Sequence, residues 1–147
     1  MKCKLSLCLI SLILTGGVVA QTKADDIVGI WLTSGKESAK IRIYKSGDSY
    51  FGQIVWLKNP TENGEAKVDS QNPDNNKQNQ PIVGLVILKE FKFDGDNEWN
   101  NGKIYDPESG KTYNCFMSLN DRNTLKVRGY VGISLFGRTE KWTKTNL

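Results

Sequence analysis

The sequence predicts an all-β protein, organised as a single antiparallel up-and-down barrel of about eight strands. Three observations lead to this prediction. Apolar and polar residues alternate with a period of two, as where Tyr113, Cys115, Met117 and Leu119 share one face of a segment; this is the pattern of a half-buried antiparallel strand. No long segment has the 3.6-residue period of a helix. Turn-forming residues separate the alternating segments, as in small barrels and sandwiches.

Eight segments of the chain have this strand character. Ile41 and Ile43 alternate with polar or aromatic neighbours, and Leu125 and Val127 alternate with basic ones. Such alternation gives each strand one apolar face. The predicted strands lie near 26–33, 39–45, 49–56, 82–93, 97–105, 112–119, 124–131 and 136–144.

The connections between these segments fall into two sets. Those at 46–48, 94–97 and 120–123 are short and contain glycine, asparagine and aspartate, which tolerate the positive φ that tight hairpins need. Those at 33–38, 57–81, 106–111 and 132–135 are looser. Alternate turns of a meander fall at opposite ends, so the sequence predicts a barrel that is pinched at one end and open at the other.

The first twenty residues have the features of a secretory signal peptide. Lys2 and Lys4 precede an apolar run from Leu5 to Leu14, and small residues follow as far as Ala20. The run is too short to span a bilayer as a helix, which disfavours the alternative of an uncleaved anchor. We expect cleavage after Ala20, a mature domain of residues 21–147 without a membrane span, and a periplasmic or extracellular location.

Removal of the signal changes the composition. Without Lys2 and Lys4 the 20 basic residues become 18 against 16 acidic ones, so the net charge falls from +4 to +2. No run of lysine and arginine stands out, and the sequence therefore does not predict nucleic-acid binding. Cys115 is the single cysteine of the mature chain, so it has no internal disulfide partner. The length fits one domain.

The segment 106–112, DPESGKT, ends like a nucleotide-binding P-loop. A P-loop needs a glycine five residues before its second glycine and a helix after it. Here that position is Tyr105, and strand-like alternation follows from Tyr113. Asp-Pro-x-x-Gly is typical of a turn, in which Pro107 fixes φ and Gly110 takes the strained closing position. We interpret the segment as a hairpin.

The chain contains no histidine, which excludes Ser-His-Asp and Cys-His catalysis and histidine-dependent zinc sites. Cys115 would be a nucleophile without its usual base, so we interpret it as a core residue. Asp94, Asp96 and Glu98 alternate, but their spacing fails the EF-hand loop and favours a solvated hairpin. We predict no catalytic residue, metal site or cofactor. Hydrolysis by paired carboxylates stays open, because the sequence does not give their separation.

Two positions resemble the signature of the calycin superfamily, the lipocalins and their relatives. Gly29-Ile30-Trp31 lies on the first predicted strand and Arg138 on the last. In calycins this arginine packs over the tryptophan and seals the closed end, a contact that cation–π attraction favours. The resemblance implies a lipocalin-like barrel with Gly29, Trp31 and Arg138 as its structural seal.

Further motifs are similar to those of the secreted bacterial family called domain of unknown function 2147. They are PIVGL at 81–85, the segment 102–113, LKVRGY at 125–130 and LFGRT at 135–139, followed by Trp142. Together they cover nearly all of 26–144, with a departure at Lys77, where the family tends to carry arginine. The resemblance implies a lipocalin-like fold and export but no reaction, because the family has no established activity.

Two functional hypotheses of different classes follow, and an enzyme comes third. In the first, the barrel binds one small apolar or amphipathic molecule at its open end. In the second, it is an envelope interaction protein with a filled barrel. The segment 82–88 is apolar on both faces and would then be covered by the 57–81 loop or by a partner chain, such as a second copy. A ligand site should offer roughly a few hundred Å³, and a filled barrel almost none.

For the first hypothesis we expect the binding residues at the open rim, where loops carry recognition on a rigid scaffold. Four polar residues would orient the head of a ligand, and two inward-facing aromatic residues would contact its apolar body. Turn chemistry is the alternative explanation for the polar residues of the 57–81 loop, which would be either a lid or disordered. The predicted ligand-binding residues are Trp56, Asp69, Asn72, Asp106, Lys111 and Tyr113.

Overall fold

The computed structural model describes residues 21–133, 135 and 137–147. The predicted signal peptide lies outside these residues. Within them, no helix has the length and apolarity needed to cross a membrane. In chain order the elements are the 3₁₀ helix η1 (Ala24–Ile27), the strands β1 (Gly29–Leu32), β2 (Ala39–Ser46), β3 (Ser49–Leu57), β4 (Thr61–Glu62) and β5 (Glu65–Ala66), the 3₁₀ helix η2 (Asn75–Lys77), and the strands β6 (Val86–Phe93), β7 (Glu98–Asp106), β8 (Lys111–Asp121), β9 (Thr124–Tyr130) and β10 (Gly137–Thr145).

Eight of these strands form a closed antiparallel barrel in the order β1-β10-β9-β8-β7-β6-β3-β2, and β4 and β5 form a separate two-stranded ribbon. The barrel closes at β1, where Trp31 lies opposite Ile41 of β2 on one side and Lys144 of β10 on the other. Closure leaves no unpaired edge. The predicted fold, a lipocalin-like up-and-down barrel of eight strands, is confirmed.

Two strand boundaries differ from the prediction for local reasons. Residues 24–27 form η1, so the first strand begins at Gly29. Residues 82–85 form a turn, in which Gly84 has φ +107° and the Leu85 N–H donates to the Ile82 carbonyl at 3.1 Å. The sixth barrel strand therefore begins at Val86, and the apolar run 82–88 is not one strand with two faces to cover.

The helix η1 closes one end of the barrel. The indole N–H of Trp31 donates to the Ile27 carbonyl at 2.7 Å, and that of Trp99 donates to the Ala24 carbonyl at 3.0 Å. Ile27 is completely buried, and the Tyr50 hydroxyl donates to Asp25 at 2.5 Å. Buried indole N–H groups need acceptors, and η1 supplies two of them. We call η1 the plug.

Two glycines make room for large side chains next to the plug. A Cβ at Gly52 would lie 2.6 Å from Leu88 Cδ1, and a Cβ at Gly102 would lie 2.4 Å from the Phe91 ring. Leu88 and Phe91 are completely buried. Contacts this short leave no space for another atom, so this part of the barrel is filled.

The predicted contact between Trp31 and Arg138 is wrong. Trp31 is buried, but it pairs with Lys144, whose Nζ lies 5.2 Å from the centre of its ring. Arg138 is six residues away on β10, roughly 20 Å along the strand. Gly29 has φ +141°, and a Cβ there would come within 3.3 Å of Lys144 Cε. The cation over the tryptophan is therefore a lysine, and Gly29 makes room for it.

Two residues weighed for chemistry have structural roles. Cys115 is buried, and desolvation raises the pKa of its thiol to about 12, so it is an unreactive core residue, as predicted. Asp94 accepts hydrogen bonds from the backbone N–H groups of Asp96 at 3.0 Å and Glu98 at 3.4 Å. Its carboxylate thus organises its own hairpin, which is the predicted turn.

Candidate ligand-binding site

The end of the barrel opposite the plug contains a cavity of about 710 Å³. Three of the four looser connections contribute to its lining: the loop 33–38, Asn59 and Lys67 of the long loop, and the hairpin at 106–108. Val131 and Gly137, which flank the fourth, also line it. The barrel is therefore the predicted cup. Its open mouth lies where loops can present polar groups to a ligand.

The deep wall of the cavity is apolar. It is formed by Ile41, Ile54, Ile87, Ile104, Val127 and Trp142. Gly129 also lines the cavity, although it does not have a positive φ. A Cβ at this position would lie 3.3 Å from Ile104 Cγ2 and 3.8 Å from Tyr113 Cβ. Gly129 thus keeps space open inside the barrel and is not needed for a turn.

One side of the mouth is held by an ion pair. Glu37 accepts hydrogen bonds from Lys67 Nζ and Asn59 Nδ2, both at 3.0 Å. The bond from Lys67, followed by that from Asn59, lowers the pKa of the Glu37 carboxyl. The pair is solvent-exposed and adds little stability, but it joins the loop 33–38 to the long loop.

The other side is formed by alternate residues of β10. The indole N–H of Trp142 donates to Glu140 Oε2 at 3.2 Å, and Glu140 Oε1 lies 3.4 Å from Arg138 Nη2. All three residues line the cavity because successive side chains of a strand point to opposite faces. A row of polar groups therefore runs along β10 from the buried indole of Trp142 to the exposed guanidinium of Arg138.

The comparisons with known proteins agree with this fold. The sequence profile of the family described as "Uncharacterized protein conserved in bacteria (DUF2147)" matches residues 29–144. The chain belongs to this family. No curated protein matches it. Among solved structures, this DUF2147 protein is similar to protein HP1028 from the human pathogen Helicobacter pylori, which is described as belonging to the lipocalin family. The TM-score is 0.74 at 21% identity, over 82% of this chain and 83% of that one. The shared feature is the fold.

One predicted ligand-binding residue of the DUF2147 protein, Trp56, faces outward and not into the barrel. Ile41 pairs with Ile54, but Lys40 pairs with Trp56, so Val55 forms a bulge. One extra residue reverses which side chains face inward. Trp56 is therefore on the outer surface, 39% exposed, with Lys40 Nζ 5.4 Å from its ring centre. Leu57 lines the cavity in its place.

Asp69 and Asn72 attach the long loop to the barrel. Asp69 is completely buried and accepts hydrogen bonds from the Tyr105 hydroxyl and from Asn72 Nδ2, both at 2.7 Å. Desolvation, followed by the bond to Asp69, raises the pKa of Tyr105 to about 12. Neither Asp69 nor Asn72 lines the cavity. The bond between Asn72 and Asp69 is the turn chemistry that was the alternative explanation, whereas the bond from Tyr105 was not predicted.

The remaining predicted residues belong to the hairpin between β7 and β8. Asp106 and Tyr113 line the cavity, whereas Lys111 is exposed outside it. Asp106 accepts hydrogen bonds from the Glu108 N–H at 3.0 Å and the Ser109 hydroxyl at 2.6 Å. Gly110 has φ +69°, which confirms that DPESGKT is a turn.

The long loop is neither a lid over the mouth nor disordered. It contains the β4–β5 ribbon, a bridge between Val68 and Pro81, and η2, where Lys77 pairs with Asp74 at 3.6 Å. Its middle also packs closely, because a Cβ at Gly110 would lie 1.9 Å from the Gln71 carbonyl. The loop is a folded side wall of the mouth.

Sequence reasoning placed the loop 33–38 at the open end but missed Gly129 and Glu140 as parts of the site. A signal for Glu140 was present, since Arg138, Glu140 and Trp142 alternate on the last predicted strand. The calycin resemblance placed that face at the closed end. The signal for Gly129 was a glycine within an alternating strand, which suggests close approach of another group.

Proposed function

We propose that this protein binds one small apolar or amphipathic molecule in the open half of its barrel. The cavity of about 710 Å³ carries this proposal. Sites for small molecules occupy roughly 300–1,000 Å³ and have apolar walls with a few polar groups. The alternative, an interaction protein with a filled barrel, predicts almost no cavity and is disfavoured.

The glycines that face the inside of the barrel support the view that the cavity is a feature of the fold and not a packing defect. At Gly52 and Gly102 the space that the missing side chain leaves is taken by Leu88 and Phe91. At Gly129 a Cβ would make a tight contact of 3.3 Å with Ile104 Cγ2 and an ordinary contact of 3.8 Å with Tyr113 Cβ, and the residue faces the cavity. A core that needed filling would gain stability from a larger residue here.

The arrangement of polar and apolar groups supports an amphipathic ligand. Its body would lie against the isoleucine side chains and Trp142, and its polar end would lie at the mouth, near charged residues. Eight-stranded lipocalin barrels hold one small ligand in this manner. The lipocalin-like fold is consistent with this function.

The variant Gly129→Leu tests the proposal, because leucine would fill the cavity next to Ile104 and Tyr113. We expect the wild type to bind the fluorescent apolar probe anilinonaphthalene sulfonate at one site, and the variant to bind it at least tenfold more weakly. Ser118→Leu is the matched control, because Ser118 alternates with the buried Met117 and Leu119 and so faces outward. Its affinity should equal that of the wild type.

Thermal melting of both variants establishes that each is folded. Equal affinity of Gly129→Leu and the wild type, or an absence of binding by the wild type, would overturn the proposal. Native mass spectrometry of protein purified from its own host should also show one bound species in the wild type and its loss in Gly129→Leu.

We also propose that the protein acts outside the cytoplasm after removal of residues 1–20. The basic start, the short apolar run and Ala20 support this location. The N-terminal sequence of protein recovered from its host should begin at Gln21. Recovery of chains that still begin at Met1 would contradict export by cleavage.

A further inference from the structure

Arg138 stands at the mouth of the cavity, directly above its apolar floor. Arg138, Glu140 and Trp142 lie on one face of β10 and all line the cavity. A strand rises by ~3.4 Å per residue, so Arg138 lies roughly 14 Å from Trp142 along β10, toward the mouth. Trp142 is buried, whereas the Arg138 side chain is 87% exposed. A ligand that lies along β10 would contact apolar wall at one end and a cation at the other.

Glu140 contacts the guanidinium of Arg138 but does not engage all of its N–H donors. One carboxylate oxygen of Glu140 accepts from Trp142 Nε1, and the other lies 3.4 Å from Arg138 Nη2. A guanidinium has five N–H donors in a planar fork. The contact with Glu140 involves one nitrogen, so the rest of the fork can bind a carboxylate or phosphate with two parallel hydrogen bonds.

Most acids at the mouth are already engaged by groups of the protein. Glu37 accepts from Lys67 and Asn59, Asp106 accepts within its own hairpin, and Glu140 accepts from Trp142. A cationic head group would have to compete with these bonds. Glu108 is the remaining acid of the lining, and it is exposed at the hairpin tip.

We propose that the ligand is an amphipathic anion, a carboxylate or phosphate on an apolar body, and that Arg138 binds its head group. The inference rests on the proposed function and assigns the chemical class of its ligand. Arg138 is then a specificity-determining residue, and Glu140 is a positioning residue that orients it. The apolar body occupies the space that Gly129 leaves open.

Four probes with the same dodecyl chain test the head group: dodecanoate, dodecyl phosphate, dodecanol and dodecyltrimethylammonium. Each is titrated below its critical micelle concentration, and binding is followed by tryptophan fluorescence, since Trp142 lines the cavity. We expect both anions to bind at least tenfold more tightly than the alcohol, and the cation to bind most weakly. The anion that binds more tightly shows whether the head group of the ligand is a carboxylate or a phosphate.

The variant Arg138→Gln removes the charge from a side chain that is largely exposed, so it should leave the fold intact. We expect it to weaken both anions about tenfold and to leave dodecanol unchanged. Lys141→Gln is the matched control: it makes the same charge change on the same strand, and Lys141 is exposed on the opposite face from Trp142. It should leave all four affinities unchanged.

The outcomes separate this inference from the function on which it rests. Equal affinity for the anions and the alcohol, tighter binding of the cation, or equal weakening of anions and alcohol in Arg138→Gln would overturn the head-group assignment and leave ligand binding in place. If the wild type binds anilinonaphthalene sulfonate but none of the four probes, the head-group assignment is overturned and ligand binding stays in place. If it binds neither, the proposed function falls, and this inference falls with it.

Discussion

At the scale of the single residue, the closed end of the barrel depends on Trp31. The side chain is completely buried, its N–H donates to Ile27 at 2.7 Å, and Lys144 lies over its ring. We expect Trp31→Ala to lower the free energy of unfolding by ~3–5 kcal/mol, as for other buried aromatic residues. Chemical denaturation measures this directly. A loss below about 1 kcal/mol would show that the indole is not part of the core.

Two further variants decide which cation lies over the indole. Lys144→Gln should cost ~0.5–1 kcal/mol, the value of an exposed cation–π contact, because Lys144 Nζ is 5.2 Å from the ring centre. Arg138→Gln should change the free energy of unfolding very little, because its side chain is 87% exposed. If Arg138→Gln lost more stability than Lys144→Gln, the result would support the contact between Arg138 and Trp31 that the calycin resemblance implied.

The predicted seal of Gly29, Trp31 and Arg138 also shows which structural features a sequence motif can predict. Gly29 and Trp31 are where the signature places them, and Trp31 is buried. The partner could not be read from the sequence, because β10 offers both Arg138 and Lys144 on its inner face. The register between the first and last strands makes the choice, and register depends on packing around the whole barrel.

At the scale of the element, periodicity predicts strands well and bulges poorly. The predicted segments 39–45, 49–56, 97–105 and 124–131 correspond to β2, β3, β7 and β9 within one or two residues. The bulge at Val55 leaves no mark in the alternation, yet it moves Trp56 to the outer surface and Leu57 to the cavity. Strand existence is a local property of the sequence, whereas the position of a bulge depends on both paired strands.

The long loop was harder to predict because its anchor is not local. Asp69 and Tyr105 are 36 residues apart and meet only when the loop packs against β7. From the sequence alone, turn formation explained Asp69 and Asn72 more readily than ligand binding did. Burial of Asp69 decides for the structural role, since a buried carboxylate needs hydrogen-bond partners.

Desolvation of Tyr105, together with its bond to Asp69, makes stability depend on pH in the alkaline range. The pKa of Tyr105 is about 12 in the folded protein, above its ordinary value of 10.0. The folded state therefore holds this proton more tightly than the unfolded state. The contribution to stability is fully present below pH 10 and is lost as the pH rises to about 12.

The variant Tyr105→Phe should lose this contribution. At pH 7 we expect it to be less stable by ~1–3 kcal/mol, because the buried Asp69 loses one partner. Between pH 10 and 12 its unfolding midpoint in urea should fall less steeply than that of the wild type. Tyr50, whose pKa is also raised by desolvation and by Asp25, contributes to the slope that remains. Identical slopes in the two proteins would rule out a role for Tyr105.

At the scale of the whole molecule, the barrel has two different ends. One is filled by Leu88 and Phe91 and closed by the plug, and the other holds the open cavity. Filling one end supplies a packed core, so the other can stay empty without loss of the fold. This division explains how a small domain whose described residues contain no disulfide partner for Cys115 can both fold and retain a binding site.

The plug lies at the start of the chain that remains if cleavage follows Ala20, so its contribution can be tested by truncation. A chain that begins at Val28 lacks the carbonyls of Ala24 and Ile27, which accept from the Trp99 and Trp31 indoles. Two buried donors without partners cost ~1–3 kcal/mol each, and the buried Ile27 side chain is lost as well. We expect this chain to be at least ~4 kcal/mol less stable than one that begins at Gln21, a large share of the ~5–15 kcal/mol of a typical domain. Ile27→Ala keeps both carbonyls and should fall between the two. Equal unfolding midpoints in urea for the chains that begin at Gln21 and Val28 would show that the plug is dispensable.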